Sequence, residues 1–279
     1  MCPRLSPDGR RVAVSSVEQE QDVWLWDVTR ATLTRVTFEP GVDFGLAWTP
    51  DGQRLLLGSV RLGGQINVWV QDADGTGSAV RLTDSPNQQI PSGTTPDGTR
   101  VIVHEMMPTG NRDLRLLTLA PEPRLETLLA TRFEERGGVV SPDGRWLAYE
   151  SDSSGRFEVY VRPFPNVGDG QWQVSTSGGV MPLWARNGGE LFYVAPDGSL
   201  MAVPTDPRAG TWSAGAPTQV VKAGYFTGAD TGNVSRHYDV SADGRRFLML
   251  KESDGQKEVP NLIVVQHWFE ELKRLVPTN

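Results

Sequence analysis

Three oxygen-bearing side chains, Asp43, Gln89 and Glu135, occupy corresponding places in the chain, each six residues before a Thr/Ser-Pro-Asp-Gly phrase. Two carboxylates and an amide brought to one rim are the ligand types that a hard cation such as Ca²⁺ takes. The next position in register holds Arg136 in one copy and Arg236 in another, and His237 follows Arg236. A guanidinium binds anions through paired N–H donors, and a histidine beside a polarising ion can serve as a base. The pattern marks Asp43, Gln89 and Glu135 as candidate metal ligands, Arg136 and Arg236 as candidate binding residues, and His237 as the candidate catalytic residue. The plainer alternative is that strand entries are simply polar and solvated.

Other chemistry-bearing residues are weaker candidates. His104 lies in the apolar run Val101-Ile102-Val103-His104-Glu105 and is expected to pack between sheets; no second histidine follows it at zinc-protease spacing. His267 adjoins the C-terminal apolar segment. Asp72-Ala73-Asp74-Gly75-Thr76-Gly77 resembles the start of a calcium loop but lacks the closing glutamate, so a tight hairpin is expected. Trp24, Trp26, Trp48, Trp69, Trp146 and Trp184 fall on expected strands, where large rings fill the space between stacked sheets. The Gly- and Thr-rich stretch 222–236 is a lid or an insertion.

Positioning these residues requires a repeat. Ser6-Pro7-Asp8-Gly9, Thr49-Pro50-Asp51-Gly52, Thr95-Pro96-Asp97-Gly98 and Ser141-Pro142-Asp143-Gly144 are near copies, with degenerate versions at 185–188 and 241–244. Their spacing averages 47 residues in a chain of 279. That period suits one four-stranded propeller blade. In the phrase, Pro presets φ, Asp bonds the local backbone and Gly takes the left-handed position. β-Rich runs follow each turn, as in Arg11-Val12-Ala13-Val14-Ser15 and Val23-Trp24-Leu25-Trp26. The expectation is one all-β domain over 1–279: a six-bladed β-propeller of four-stranded antiparallel blades, with a short C-terminal helix over 268–276. The chain starts within an inner strand, which suggests a fragment cut at a blade boundary, with segment 269–279 covering an open edge.

Composition narrows the partners. With 27 basic against 34 acidic residues, the net charge is −7 and there is no basic stripe, which disfavours nucleic acid. The single cysteine excludes an internal disulfide. No apolar run is long enough to span a bilayer, and the N-terminus lacks a signal-like stretch, so no membrane insertion of this chain is expected.

The segment 141–164, Ser-Pro-Asp-Gly-Arg-Trp-Leu-Ala-Tyr-Glu-Ser-Asp-Ser-Ser-Gly-Arg-Phe-Glu-Val-Tyr-Val-Arg-Pro-Phe, together with Ser177-Gly178-Gly179, Glu190-Leu191-Phe192-Tyr193 and His267-Trp268-Phe269-Glu270-Glu271-Leu272, resembles the TolB-like, WD-repeat-like propellers. More narrowly, it is similar to the C-terminal propellers of bacterial membrane-anchored serine/threonine kinases. That resemblance implies a six-bladed extracytoplasmic, periplasmic sensor or binding module that takes a small molecule or a protein on its top face. The Gly-rich loop and the His-Arg-Asp phrase of a kinase are absent from this sequence, as is the Gly-x-Ser-x-Gly elbow of a serine hydrolase. A second expectation comes from calcium-dependent lactonase-like propellers. In that case Asp43, Gln89 and Glu135 would hold Ca²⁺, and His237 would assist hydrolysis of lactones, aryl esters or phosphotriesters.

Overall fold

The structure is a computed structural model that describes residues 2–15, 21–61, 64–228, 235–251 and 263–265. Its strands form five four-stranded antiparallel sheets and one three-stranded sheet. Each of the five is a consecutive meander; the second, for example, runs Asp43–Trp48, Arg54–Ser59, Asn67–Asp72 and Val80–Arg81. The last sheet contains Tyr238–Val240, Phe247–Met249 and Ile263–Val265.

Two expectations are corrected here. Among the described residues the molecule has five complete four-stranded blades, not six, and the sixth repeat contributes three strands. The turn phrase joins only the two inner strands, so counting phrases counts hairpins rather than whole blades. No α-helix occurs among the described residues, whose one helical piece is a 3₁₀ turn at Val167–Asp169. The helix expected over 268–276 lies outside the described residues.

The phrase itself forms the expected turn. In all six copies the glycine N–H donates to the carbonyl three residues earlier at 2.8–2.9 Å. In five copies the Ser or Thr hydroxyl donates to the Asp carboxylate at 2.5 Å. These turns end the inner strands at one face of the ring.

Apolar side chains alternate toward the neighbouring sheets and form six clusters around the ring, one at each junction between adjacent sheets. Trp48, Trp69 and Trp184 are buried at these junctions, as their strand positions predict. Among the described residues the junction between the last sheet and the first is the leanest, with Val12, Val14 and Leu248 buried.

Candidate ligand-binding site

The inner strands carry the site, and four of them share an irregularity. Register shifts occur after Phe44, Ile102, Arg136 and Val180 or their partners. Two positions after the strand-entry residue, Gly45, Gly137 and Met181 adopt φ of 65°, 64° and 58°. A Cβ on Gly45 would meet Ile90 Cγ2 at 2.3 Å, so glycine is required there. Met181 takes the same torsion with a side chain. Its N–H donates to Glu150 at 2.7 Å, and its carbonyl accepts from the Tyr238 hydroxyl at 2.8 Å. Neighbours on both sides thus hold the strained residue.

The strand-entry residues are buried, not solvated, and each is bonded within its own repeat. Asp43 is paired with Arg61 at 2.5 Å, and Arg61 also meets Glu39. Gln89 donates to Glu105 at 2.8 Å. Glu135 accepts from the Thr131 hydroxyl at 2.5 Å, and burial raises its pKa. Arg136 binds Glu150 at 2.8 Å and stacks over Phe157 at 3.7 Å; burial raises the Glu150 pKa, against the pull of Arg136. Among the described residues no group of three His, Cys, Asp or Glu side chains is placed to hold a metal ion. The donor set does not fit calcium, because its anionic members already face arginine or a hydroxyl.

His237 is also buried, with its ring edge on Phe226 at 5.1 Å and its Nε2 4.0 Å from Cys2 Sγ. Desolvation pushes its pKa down to about 4. It packs against Gly228, where a Cβ would clash with the ring at 2.4 Å, and does not line the axial cavity.

An axial cavity lies at the opposite end of the inner strands, toward the turns. It measures about 370 Å³ and is lined by inner-strand residues of all six sheets. Its collar consists of the turn prolines Pro7, Pro50, Pro96 and Pro142, with Arg186 in the equivalent place of the fifth turn. Arg4, Arg236 and Asp239 lie deeper. A chamber of about 10 Å³, bordered by Arg4, Ser92, His104, Glu150 and Arg236, adjoins it, and Arg4, Ser92 and Arg236 line both spaces and form the neck between them. The chamber has room for about one water.

Arg4 donates to the carbonyls of Leu46 at 2.9 Å, Pro3 at 2.9 Å and Arg236 at 2.6 Å. Burial and the neighbouring Arg236 lower its pKa to about 10. Arg186 crosses from the fifth blade to the carbonyls of Pro7, Ser6 at 3.0 Å and Leu5 at 3.5 Å. His104 is 2% exposed, and neither ring nitrogen has a partner. Desolvation pushes its pKa down to about 3, keeping it neutral.

Of the candidate metal, binding and catalytic residues, only Arg236 lines this cavity. Arg4 and Arg186 were missed. Arg4 sits in a two-residue strand too short to show a period. Arg186 did leave a signal, since it replaces the proline found in four sister phrases.

No protein-family model matches the chain. It is 24% identical over 206 residues to the uncharacterized peptidase YuxL of Bacillus subtilis, covering 57% of this chain and 31% of that protein. A second relative, an uncharacterized protein of Agrobacterium fabrum, is 31% identical over 98 residues, covering 35% of this chain and 33% of its own length. The chain therefore spans about a third of each of these relatives. TolB from Acinetobacter baumannii superposes with a TM-score of 0.63 at 20% identity, over 78% of this chain and 56% of that one. An oligogalacturonate lyase in complex with manganese gives 0.60 at 16% identity, over 91% and 70%. The Cps50 (Swd1) propeller domain of Myceliophteria thermophila gives 0.60 at 15% identity, over 90% and 79%. The chain thus shares the β-propeller fold of these structures.

Proposed function

We propose that the chain is a non-catalytic binding module that takes its ligand in the axial cavity from the turn face. The observation that carries this reading is a cavity of about 370 Å³ walled by all six sheets, in which the guanidinium groups of Arg4 and Arg186 bond only backbone carbonyls among the described residues. That volume falls within the small-molecule range. Catalysis finds no comparable support: His237 is packed away from the cavity, and Asp43, Glu135 and Glu150 are engaged elsewhere. The similarity to a peptidase spans 31% of that protein and brings no Gly-x-Ser-x-Gly phrase into this chain.

The TolB likeness and the kinase resemblance support a sensor propeller working in the periplasm, attached to other domains. No helix among the described residues is long and apolar enough to cross a membrane.

A ligand-observed NMR screen with a charge-diverse fragment library tests the reading. Thr94 lines the cavity, and hits on the wild type should disappear in a folded Thr94→Trp variant. Hits that persist unchanged in that variant, or no hits at all, would refute the channel as the ligand seat.

A further inference from the structure

The two ends of the inner strands differ in charge balance. At the strand entries arginines and carboxylates are paired, as in Arg61–Asp43 and Arg136–Glu150. At the turn end Arg4, Arg186 and Arg236 line the cavity with a single carboxylate, Asp239. Asp239 is committed to the N–H groups of Leu5 at 2.8 Å and Val240 at 2.9 Å, and lies 3.8 Å from Arg236. Every bond that Arg4 and Arg186 make goes to a backbone carbonyl, which does not cancel their charge. Glu150 borders the inner chamber, but Arg136 balances it. In a protein of net charge −7, the channel lining is positive.

Two further observations point to a ligand. Arg4 Nη2 and Arg236 Nη1 bond no group among the described residues, although both side chains line the neck. Beyond them the almost fully buried imidazole of His104, without a partner, borders the chamber. A buried polar group without a partner costs stability and calls for an explanation. Around the mouth the lining turns apolar, with the proline collar, Trp48 and Trp184.

We infer that the channel is a seat for a small organic carboxylate, with its head between Arg4 and Arg236 at the neck and its apolar body against the prolines and tryptophans. This rests on the channel-binding reading and adds the ligand class. A flat carboxylate suits a neck that opens onto space for about one water, which a tetrahedral phosphate overfills.

The test is calorimetric titration of the full chain with phenylbutyrate, phenylbutyramide and phenylbutylamine, three probes that share one apolar body. The carboxylate is expected to bind about tenfold more tightly than the amide, and the amine more weakly still. The gap should close in Arg236→Gln and partly survive in Arg236→Lys. Should Arg236→Gln misfold, salt provides the readout on wild type: screening should weaken the carboxylate and leave the amide unchanged. Equal binding of all three, blocked by Thr94→Trp, would overturn the carboxylate assignment while leaving the channel-binding reading intact. Inorganic phosphate competing as well as phenylbutyrate would overturn it too. No binding of any probe overturns it as well, and the fragment screen then decides whether the channel reading also falls.

Discussion

Met181 keeps φ at 58° where two of its counterparts, Gly45 and Gly137, are glycines, because Glu150 and Tyr238 hold its peptide groups from both sides. The same Glu150 neutralises Arg136, so one carboxylate supports a strained backbone and a buried cation. Glu150→Gln should therefore cost about 3–5 kcal/mol in denaturant unfolding, the range for breaking a buried pair from one side. An unchanged midpoint would contradict that role. Gly45→Ala meets both a positive φ and the Ile90 methyl at 2.3 Å. Its expected loss is about 2 kcal/mol or more by the same measurement. His104 should behave in the opposite way. Its ring has no partner to lose, so His104→Leu should leave stability at neutral pH unchanged or raised. The same variant should show a weaker fall in stability with acid: the folded ring titrates near 3, the free one near 6.5. The unfolded chain takes up the proton first, so wild-type stability is full above about pH 6.5 and declines toward the folded pKa. That single group steepens the decline by up to about 1.4 kcal/mol per pH unit.

The hairpin turn is the element that repeats most faithfully, and its chemistry is local. Hydroxyl and backbone donors hold the carboxyls of Asp51, Asp97 and Asp243 below the usual range. A depressed folded pKa means stability that is present above the unfolded value and lost as pH falls through the folded one. Asp51→Asn and Asp97→Asn should therefore each reduce stability at neutral pH and converge on wild type in strong acid, as read by urea unfolding across pH. This local chemistry explains why the all-β class, the blade period and the inner hairpins were legible in the sequence. The outer strands were harder to see, because Val80–Arg81 and Trp172–Gln173 have only two residues each and cannot show alternation. The site was less legible again. Asp43 and Glu135 have the residue types of metal ligands, but Asp43 is claimed by Arg61, a hairpin away, and Glu135 by the Thr131 hydroxyl in the loop that enters its strand. Position in a repeat says where a side chain starts, and not which neighbour has already claimed it.

At the scale of the ring, the junction between last and first sheets stands apart. Among the described residues it buries three apolar side chains, and polar bonds cross it: Arg4 donates to the Arg236 carbonyl at 2.6 Å and Asp239 accepts from the Leu5 N–H at 2.8 Å. Arg186 reaches past the last sheet to the first turn and adds a third crossing. Arg186→Ala should lower stability by about 1–3 kcal/mol, as for hydrogen bonds from a charged donor. Hydrogen exchange should show the loss concentrated in Arg11–Ser15 and Phe247–Met249; a loss spread evenly around the ring would refute the crossing role. Arg4 and Arg236 stand on opposite sides of this seam. A molecule gripped by both would be a clasp across the joint, and its arrival would stiffen the ring where it is loosest. Occupancy would then be felt as mechanical closure between the first and last sheets.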